Sequence, residues 1–160
     1  MSELRVSWDE YHRLIESLGA QIHRDGWRFD QVLCLARGGL RVGDVLSRMF
    51  AVPLAILAVQ SYDGDHRQGD LRFSSGLTFT GDRLGPNLLL VDDLVDSGAT
   101  LIATLDWLEQ HHACPRQQVR TAVLWQKPQS QFVPDYRAVA MSEAAWIHQP
   151  FEHYEDWRFD

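Results

Sequence analysis

Residues 88–100 read Leu88-Leu89-Leu90-Val91-Asp92-Asp93-Leu94-Val95-Asp96-Ser97-Gly98-Ala99-Thr100. Four apolar residues end abruptly in two adjacent carboxylates, a third follows at Asp96, and small residues then lead into a helical pattern. A short continuous apolar run bounded by a turn suits a strand buried on both faces. Such a strand delivers Asp92 and Asp93 to its carboxyl end. The Ser97–Thr100 turn opens the next helix, where backbone N–H groups and the helix dipole attract an anion. Acids beside that anion site are suited to ribose hydroxyls or a hard metal ion. In physical terms the run is a site for a phosphorylated sugar.

Working outward, the same strand–helix alternation recurs. Ser7 and Glu10 form a capping-box pattern, followed by Tyr11, Leu14, Ile15, Leu18 and Ile22 at helical spacing. This predicts a helix that stops near Asp25-Gly26. Gln31–Ala36 is a buried strand, Leu40–Phe50 a helix with Leu40, Val42, Gly43, Leu46 and Met49 inward, and Leu54–Val59 a second buried strand. Ala99–His112 is a helix with Leu101, Ile102, Leu105 and Leu108 on one side, and Gln118–Trp125 a further strand. Leu4–Val6 reads as a short edge strand. Within the polar stretch 60–86, Leu71, Phe73, Leu77 and Phe79 suggest a short hairpin. The tail from 128 on, rich in Pro and aromatics, gives no clear element. The alternation predicts an α/β fold with a mainly parallel sheet, whose ligands lie at the carboxyl ends of the strands.

Composition narrows the function classes. The chain has 160 residues, 45% of them apolar, which fits one domain, 1–160, with a real core. No apolar run approaches the roughly 18 residues that span a bilayer. The net charge of −7 argues against bulk nucleic-acid binding. Cys34 and Cys114 lie in no metal-ligand spacing, and a reducing cytoplasm is the natural expectation. No zinc pattern accompanies the histidines, and neither a P-loop nor a dinucleotide fingerprint is present.

The 88–100 run resembles the phosphoribosyl pyrophosphate (PRPP) signature of the type I phosphoribosyltransferases. The resemblance extends along nearly the whole chain, through Val6-Ser7-Trp8-Asp9, Ala36-Arg37-Gly38-Gly39-Leu40, Ser61-Tyr62-Asp63, Gln126-Lys127-Pro128, Val133-Pro134-Asp135-Tyr136 and Trp146-Ile147-His148-Gln149-Pro150-Phe151. It is most similar to the bacterial xanthine-guanine branch of that family. The fold it implies has a flexible loop, about 60–86, and a small C-terminal base-binding hood, about 128–160. It implies that Ser97, Gly98, Ala99 and Thr100 clamp the 5′-phosphate, and that Asp92 and Asp93 hold the ribose hydroxyls directly or through Mg2+, which favours few carboxylates and substrate oxygens. Arg37, Gly38, Gly39 and a loop arginine, Arg67 or Arg72, would meet the pyrophosphate, at a place where the family often keeps a non-proline cis peptide. Asp96 would be the catalytic carboxylate beside nitrogen-7 of the base, within the PRPP site.

The same resemblance makes Lys127, Trp146 and Ile147 the base pocket. Lys127 would donate to a 6-oxo group, Trp146 would stack, and the Ile147 carbonyl would meet the exocyclic group at position 2. Lysine has donors only, so it disfavours adenine, which presents an amino group at position 6. The implied activity is purine salvage: phosphoribosyl transfer from PRPP to a 6-oxopurine (guanine, xanthine or hypoxanthine) by a cytoplasmic homodimer or homotetramer. A transferase for another base and a non-catalytic PRPP or nucleotide sensor of the same fold are the alternatives. Two positions depart from the family pattern: Ala99, where many members carry Gly, and His148, where the xanthine-guanine enzymes typically carry an acid.

Overall fold

The capping box written at Ser7 and Glu10 is formed. In the computed structural model, which describes residues 2–61 and 71–159, the Ser7 side chain accepts from the Glu10 N–H at 3.2 Å and the Glu10 carboxylate accepts from the Ser7 N–H at 2.9 Å. Helix α1, Trp8–Asp25, starts there and ends at Gly26, whose φ of 77° is the left-handed stop expected of glycine. Strand β2 (Gln31–Ala36), helix α2 (Leu40–Phe50), strand β3 (Leu54–Ser61), strand β6 (Leu88–Val91), helix α3 (Ala99–His112) and strand β8 (Val119–Gln126) match the sequence pattern closely. No helix among the described residues is long and apolar enough to cross a membrane.

The main sheet runs β4-β3-β2-β6-β8-β7, where β4 is Leu71–Phe73 and β7 is Leu94–Val95. The β3-β2-β6-β8 centre is parallel throughout. The pleat sorts its side chains. Val32, Cys34, Leu89 and Val91 join a core with Tyr11, Ile15, Leu18, Ile22, Val42 and Leu46 of α1 and α2. Leu33, Leu35, Leu88 and Leu90 join a second core with Leu101, Leu105 and Leu108 of α3. Helices thus cover both faces, which is why β6 is apolar at every position. Both cysteines are free and buried.

Several expectations are corrected. Helical spacing puts Met49 and Ile102 inward, but they are 47% and 37% exposed, while the small polar Ser47 and Thr104 take the buried positions. Leu71–Phe73 and strand β5 (Thr78–Phe79) do not form a hairpin with each other; both pair antiparallel with β3. Leu94-Val95 continues alongside β8 in the register set by β6, so the acid-bearing run stays within the sheet's edge. Strand β1, Ser2–Arg5, is no edge of the main sheet; it pairs in parallel with strand β10, Ala145–His148, in a separate two-stranded sheet. The segment 128–160, where the hood is expected, carries strand β9 (Tyr136–Ala140), which pairs with β8 in the main sheet, and β10, which pairs with β1 in the separate two-stranded sheet.

Candidate active site

The carboxyl ends of β2, β6 and β8 converge with β10. At the end of β6, each acid folds back on the chain: Asp92 Oδ1 accepts from the Asp93 N–H at 2.9 Å, and Asp93 Oδ1 from the Leu94 N–H at 2.8 Å. Burial, reinforced by the neighbouring Asp93 charge, pushes the Asp92 carboxyl well above the usual carboxylate range. No cation among the described residues pairs with either acid. Beyond them, Ser97 Oγ accepts from the Ala99 N–H at 3.2 Å. Gly98 caps α3 with a φ of +94° and backs onto Phe132, so any side chain there meets both backbone strain and a clash. Ala99, the departure from glycine, is the first residue of α3 and has no positive φ, so its methyl carries no such penalty. Asp92, Asp93, Asp96, Ser97, Gly98 and Thr100 line a hollow of about 210 Å3 at the start of this helix.

The Ala36–Arg37 peptide bond is cis. Gly38, just beyond it, lies against the acid pair: a Cβ on Gly38 would sit 2.6 Å from the Asp93 carboxyl carbon. Gly39 donates its N–H to Leu35 O at 2.8 Å and caps α2. Arg37 is exposed and borders two cavities. One, about 480 Å3, it shares with Gly38, Arg41, Asp93 and Gln149; the other, about 520 Å3, lies toward β3 and includes Arg72.

Two of the three base-site candidates, Lys127 and Trp146, come together with Asp96. The Lys127 backbone N–H donates to Val95 O at 2.9 Å, which fixes the end of β8 to β7. Its side chain is 11% exposed, with Nζ 3.4 Å from Asp96 Oδ2 and 5.8 Å from the centroid of the Trp146 ring. Trp146 leaves 53% of its surface open to solvent, although it stands in a strand. Ile147 is buried, beside Leu4 of β1. His148 stands edge-on to Trp146, ring centroids 6.5 Å apart, and its two ring nitrogens lie 3.6 and 3.8 Å from Glu3 of β1 and Glu152. Tyr62, Asp63 and Arg67 lie outside the described residues.

Sequence reasoning missed two glutamines. The Gln129 amide donates to Asp96 Oδ1. The Gln149 amide donates to Asp93 Oδ2 at 2.5 Å. Gln149 is buried, and a long polar residue directly after Trp-Ile-His at the end of an apolar alternation was the available signal. Gln129 sits in a polar turn with nothing to distinguish it.

The model of the phosphoribosyl transferase domain family matches residues 7–156. The chain belongs to the phosphoribosyl transferase family. The match spans nearly its whole length, and the protein is a phosphoribosyltransferase enzyme with the type I fold. Among relatives, it is 30% identical over 152 residues to the xanthine-guanine phosphoribosyltransferase of Chromohalobacter salexigens, covering 94% of this chain and 84% of that one. It is 29% identical over 156 residues to the enzyme of the same name from Idiomarina loihiensis, covering 95% and 90%. Among solved structures, it superposes on the Helicobacter pylori xanthine-guanine-hypoxanthine phosphoribosyltransferase with a TM-score of 0.78 at 25% identity, covering 96% of each chain. A purine phosphoribosyltransferase from Pyrococcus horikoshii gives a TM-score of 0.72 at 27% identity, covering 94% of this chain and 95% of that one.

Proposed function

We propose that the protein transfers the 5-phosphoribosyl group of PRPP to nitrogen-9 of a 6-oxopurine and releases pyrophosphate. The observation that carries this reading is the convergence of Lys127, Asp96 and Trp146 beside the Asp92–Thr100 loop: a half-buried ammonium, a carboxylate and an open aromatic face within reach of one small planar ligand. The purine-acting relatives named above support the acceptor class.

In this reading the start of α3 takes the 5′-phosphate on its backbone N–H groups and on the Ser97 and Thr100 hydroxyls. Asp92 and Asp93 face the ribose hydroxyls. These two carboxylates, with no third acid or histidine clustered on them among the described residues, are too few to cage a metal alone. They suit Mg2+ that brings most of its ligands as waters and substrate oxygens. When bound, that ion neutralises charge on the departing pyrophosphate. Arg37 and the Gly38 N–H add hydrogen-bond donors on the same side, the Gly39 N–H being taken by Leu35 O. The C1′–oxygen bond to pyrophosphate breaks as the bond to nitrogen-9 forms, and Asp96 takes the base's proton at nitrogen-7. Lys127 donates to the 6-oxo group and Trp146 stacks on the ring, a contact worth about 1–3 kcal/mol at other base-binding sites. In the free enzyme the same Lys127 and Asp96 hold each other, so both are aimed before the base arrives. A cytoplasmic homo-oligomer is the setting this reading implies.

The test is pyrophosphate release from PRPP and Mg2+ with guanine, xanthine, hypoxanthine, adenine and uracil in turn. Turnover with 6-oxopurines and none with adenine is expected. Lys127→Met should lower kcat/KM for the 6-oxopurine by roughly ten- to a hundredfold, the loss of one hydrogen bond from a charged donor. Turnover on uracil alone would transfer the reading to another base. Release with none of the five would favour a nucleotide sensor.

A further inference from the structure

Gln149 has no place in the chemistry above, yet among the described residues it is the one side chain outside the acid loop that bonds to the acid pair. Its amide nitrogen donates to Asp93 Oδ2 at 2.5 Å, and the residue is 7% exposed. The other Asp93 oxygen is taken by the Leu94 N–H at 2.8 Å, and the open edge of Gly38 lies against the carboxyl carbon. Asp93 is therefore held on three sides, and Gln149 supplies the only one of the three that is not backbone. Among the described residues, the remaining Gln149 oxygen and the Tyr11 hydroxyl are buried without hydrogen-bond partners. Such atoms cost stability, so this amide is tolerated at a position where an apolar side chain would fold more easily.

The position of Gln149 in the chain gives the bond its meaning. It comes directly after β10, the strand that carries Trp146 and Ile147. Val6 N–H bonds to His148 O at 3.0 Å, which seats the end of that strand against the N-terminal segment. A shift of β10 on closing over a base would move the Gln149 backbone, and with it the donor that orients Asp93.

We propose that Gln149 is a positioning residue: it aims the Asp93 carboxylate at the ribose and its metal ion, and it ties that aim to the strand that walls the base pocket. The proposal rests on the assignment of Asp93 to the PRPP side of the site. It predicts a defect on PRPP and Mg2+ rather than on the base, although Gln149 is a neighbour of the base-pocket residues in sequence.

The experiment measures wild type, Gln149→Met, Gln149→Glu and Gln149→Asn by steady-state kinetics, varying PRPP, Mg2+ and purine separately, with melting temperature recorded for each. Methionine keeps the volume and removes the donor, glutamate places a like charge against Asp93, and asparagine retains the amide on a shorter stem. Expected are a drop of about ten- to a hundredfold in kcat/KM for PRPP with Met, a larger drop with Glu, and partial recovery with Asn. The half-saturating Mg2+ concentration should rise, while the purine KM stays at the wild-type value, since no purine contact is removed. Folded Met and Glu variants with wild-type PRPP and Mg2+ dependence would overturn the proposal, as would a defect confined to the purine KM. Should Met fail to fold, Glu and Asn carry the same two readouts. A wild-type protein inactive with every base would instead overturn the functional reading, and the two failures are thereby distinct.

Discussion

Two aspartates at opposite ends of the same sheet meet opposite surroundings. Asp25, at the end of α1, lies near the start of β8, where Arg120 donates to it at 2.5 Å and the Tyr136 hydroxyl at 2.7 Å. The Tyr136 hydroxyl, with the Arg120 guanidinium, holds its carboxyl below the ordinary carboxylate value. Asp92, at the carboxyl end of β6, is paired with no cation among the described residues, and burial against another acid drives its carboxyl the other way. The first arrangement is what folding stability favours. The second is what stability penalises, and it stands where a polyhydroxylated, phosphorylated ligand would supply the missing partners. The contrast separates residues that hold the fold from residues the fold is built to present.

The largest effect that would sharpen this contrast is on turnover. Asp96→Asn should lower kcat by about 10²–10⁴-fold, the usual worth of a positioned general base, with PRPP binding by calorimetry largely kept. Unchanged turnover removes Asp96 from the role. Next comes stability at the acid pair. A raised folded-state pKa means the native protein holds a proton that the unfolded chain has released, so stability falls as pH rises above the unfolded value of about 3.9. Asp92→Asn keeps the oxygen that accepts the Asp93 N–H and cannot ionise. In metal-free protein at neutral pH it should melt a few degrees above wild type, the gap closing toward acid, while activity collapses. A variant that melts lower breaks the contrast.

The smallest effect is at Asp25. Its depressed pKa contributes stability that is complete above the unfolded value and is lost as pH falls through the folded one. Asp25→Asn should therefore melt slightly below wild type at neutral pH, with full activity, and coincide with it in strong acid. The pair is exposed enough for solvent to screen it, which keeps the effect small. Melting curves across pH for the two variants, run side by side, should separate in opposite directions.

How far the structure is legible in the sequence depends on the range of the forces involved. Helices α1, α2 and α3 and the buried strands carry their signals locally, in caps, periodicity and apolar runs, and their limits fall close to expectation. The convergence of Lys127, Asp96 and Trp146 is legible only through resemblance, since nothing local links strand ends so far apart in the chain. The pairing of β1 with β10 has no local signal at all, and neither does β9, whose Tyr-Arg-Ala-Val-Ala lacks the apolar density of the central strands. Leu94-Val95 reads as part of a turn because the acids flanking it mask two residues of sheet. Met49 and Ile102 show the limit of helical spacing: it gives a face to within one position, and the packing of β2 and β6 decides which neighbour goes inside. Gln149 needs three dimensions, because its importance lies in what it touches.

The union of β1 with β10 sets an order of events in synthesis. Strand β1 is synthesised before all the other described strands and has its partner only once β10, the strand bearing Trp146, has followed. The acid loop and the start of α3 can take shape long before that. A chain cut before β10 would thus possess the acid loop and the start of α3, the proposed phosphate side, without the strand proposed to wall the acceptor. On the proposed reading the acceptor side would depend on the longest-range pairing among the described strands, of the kind that forms slowly.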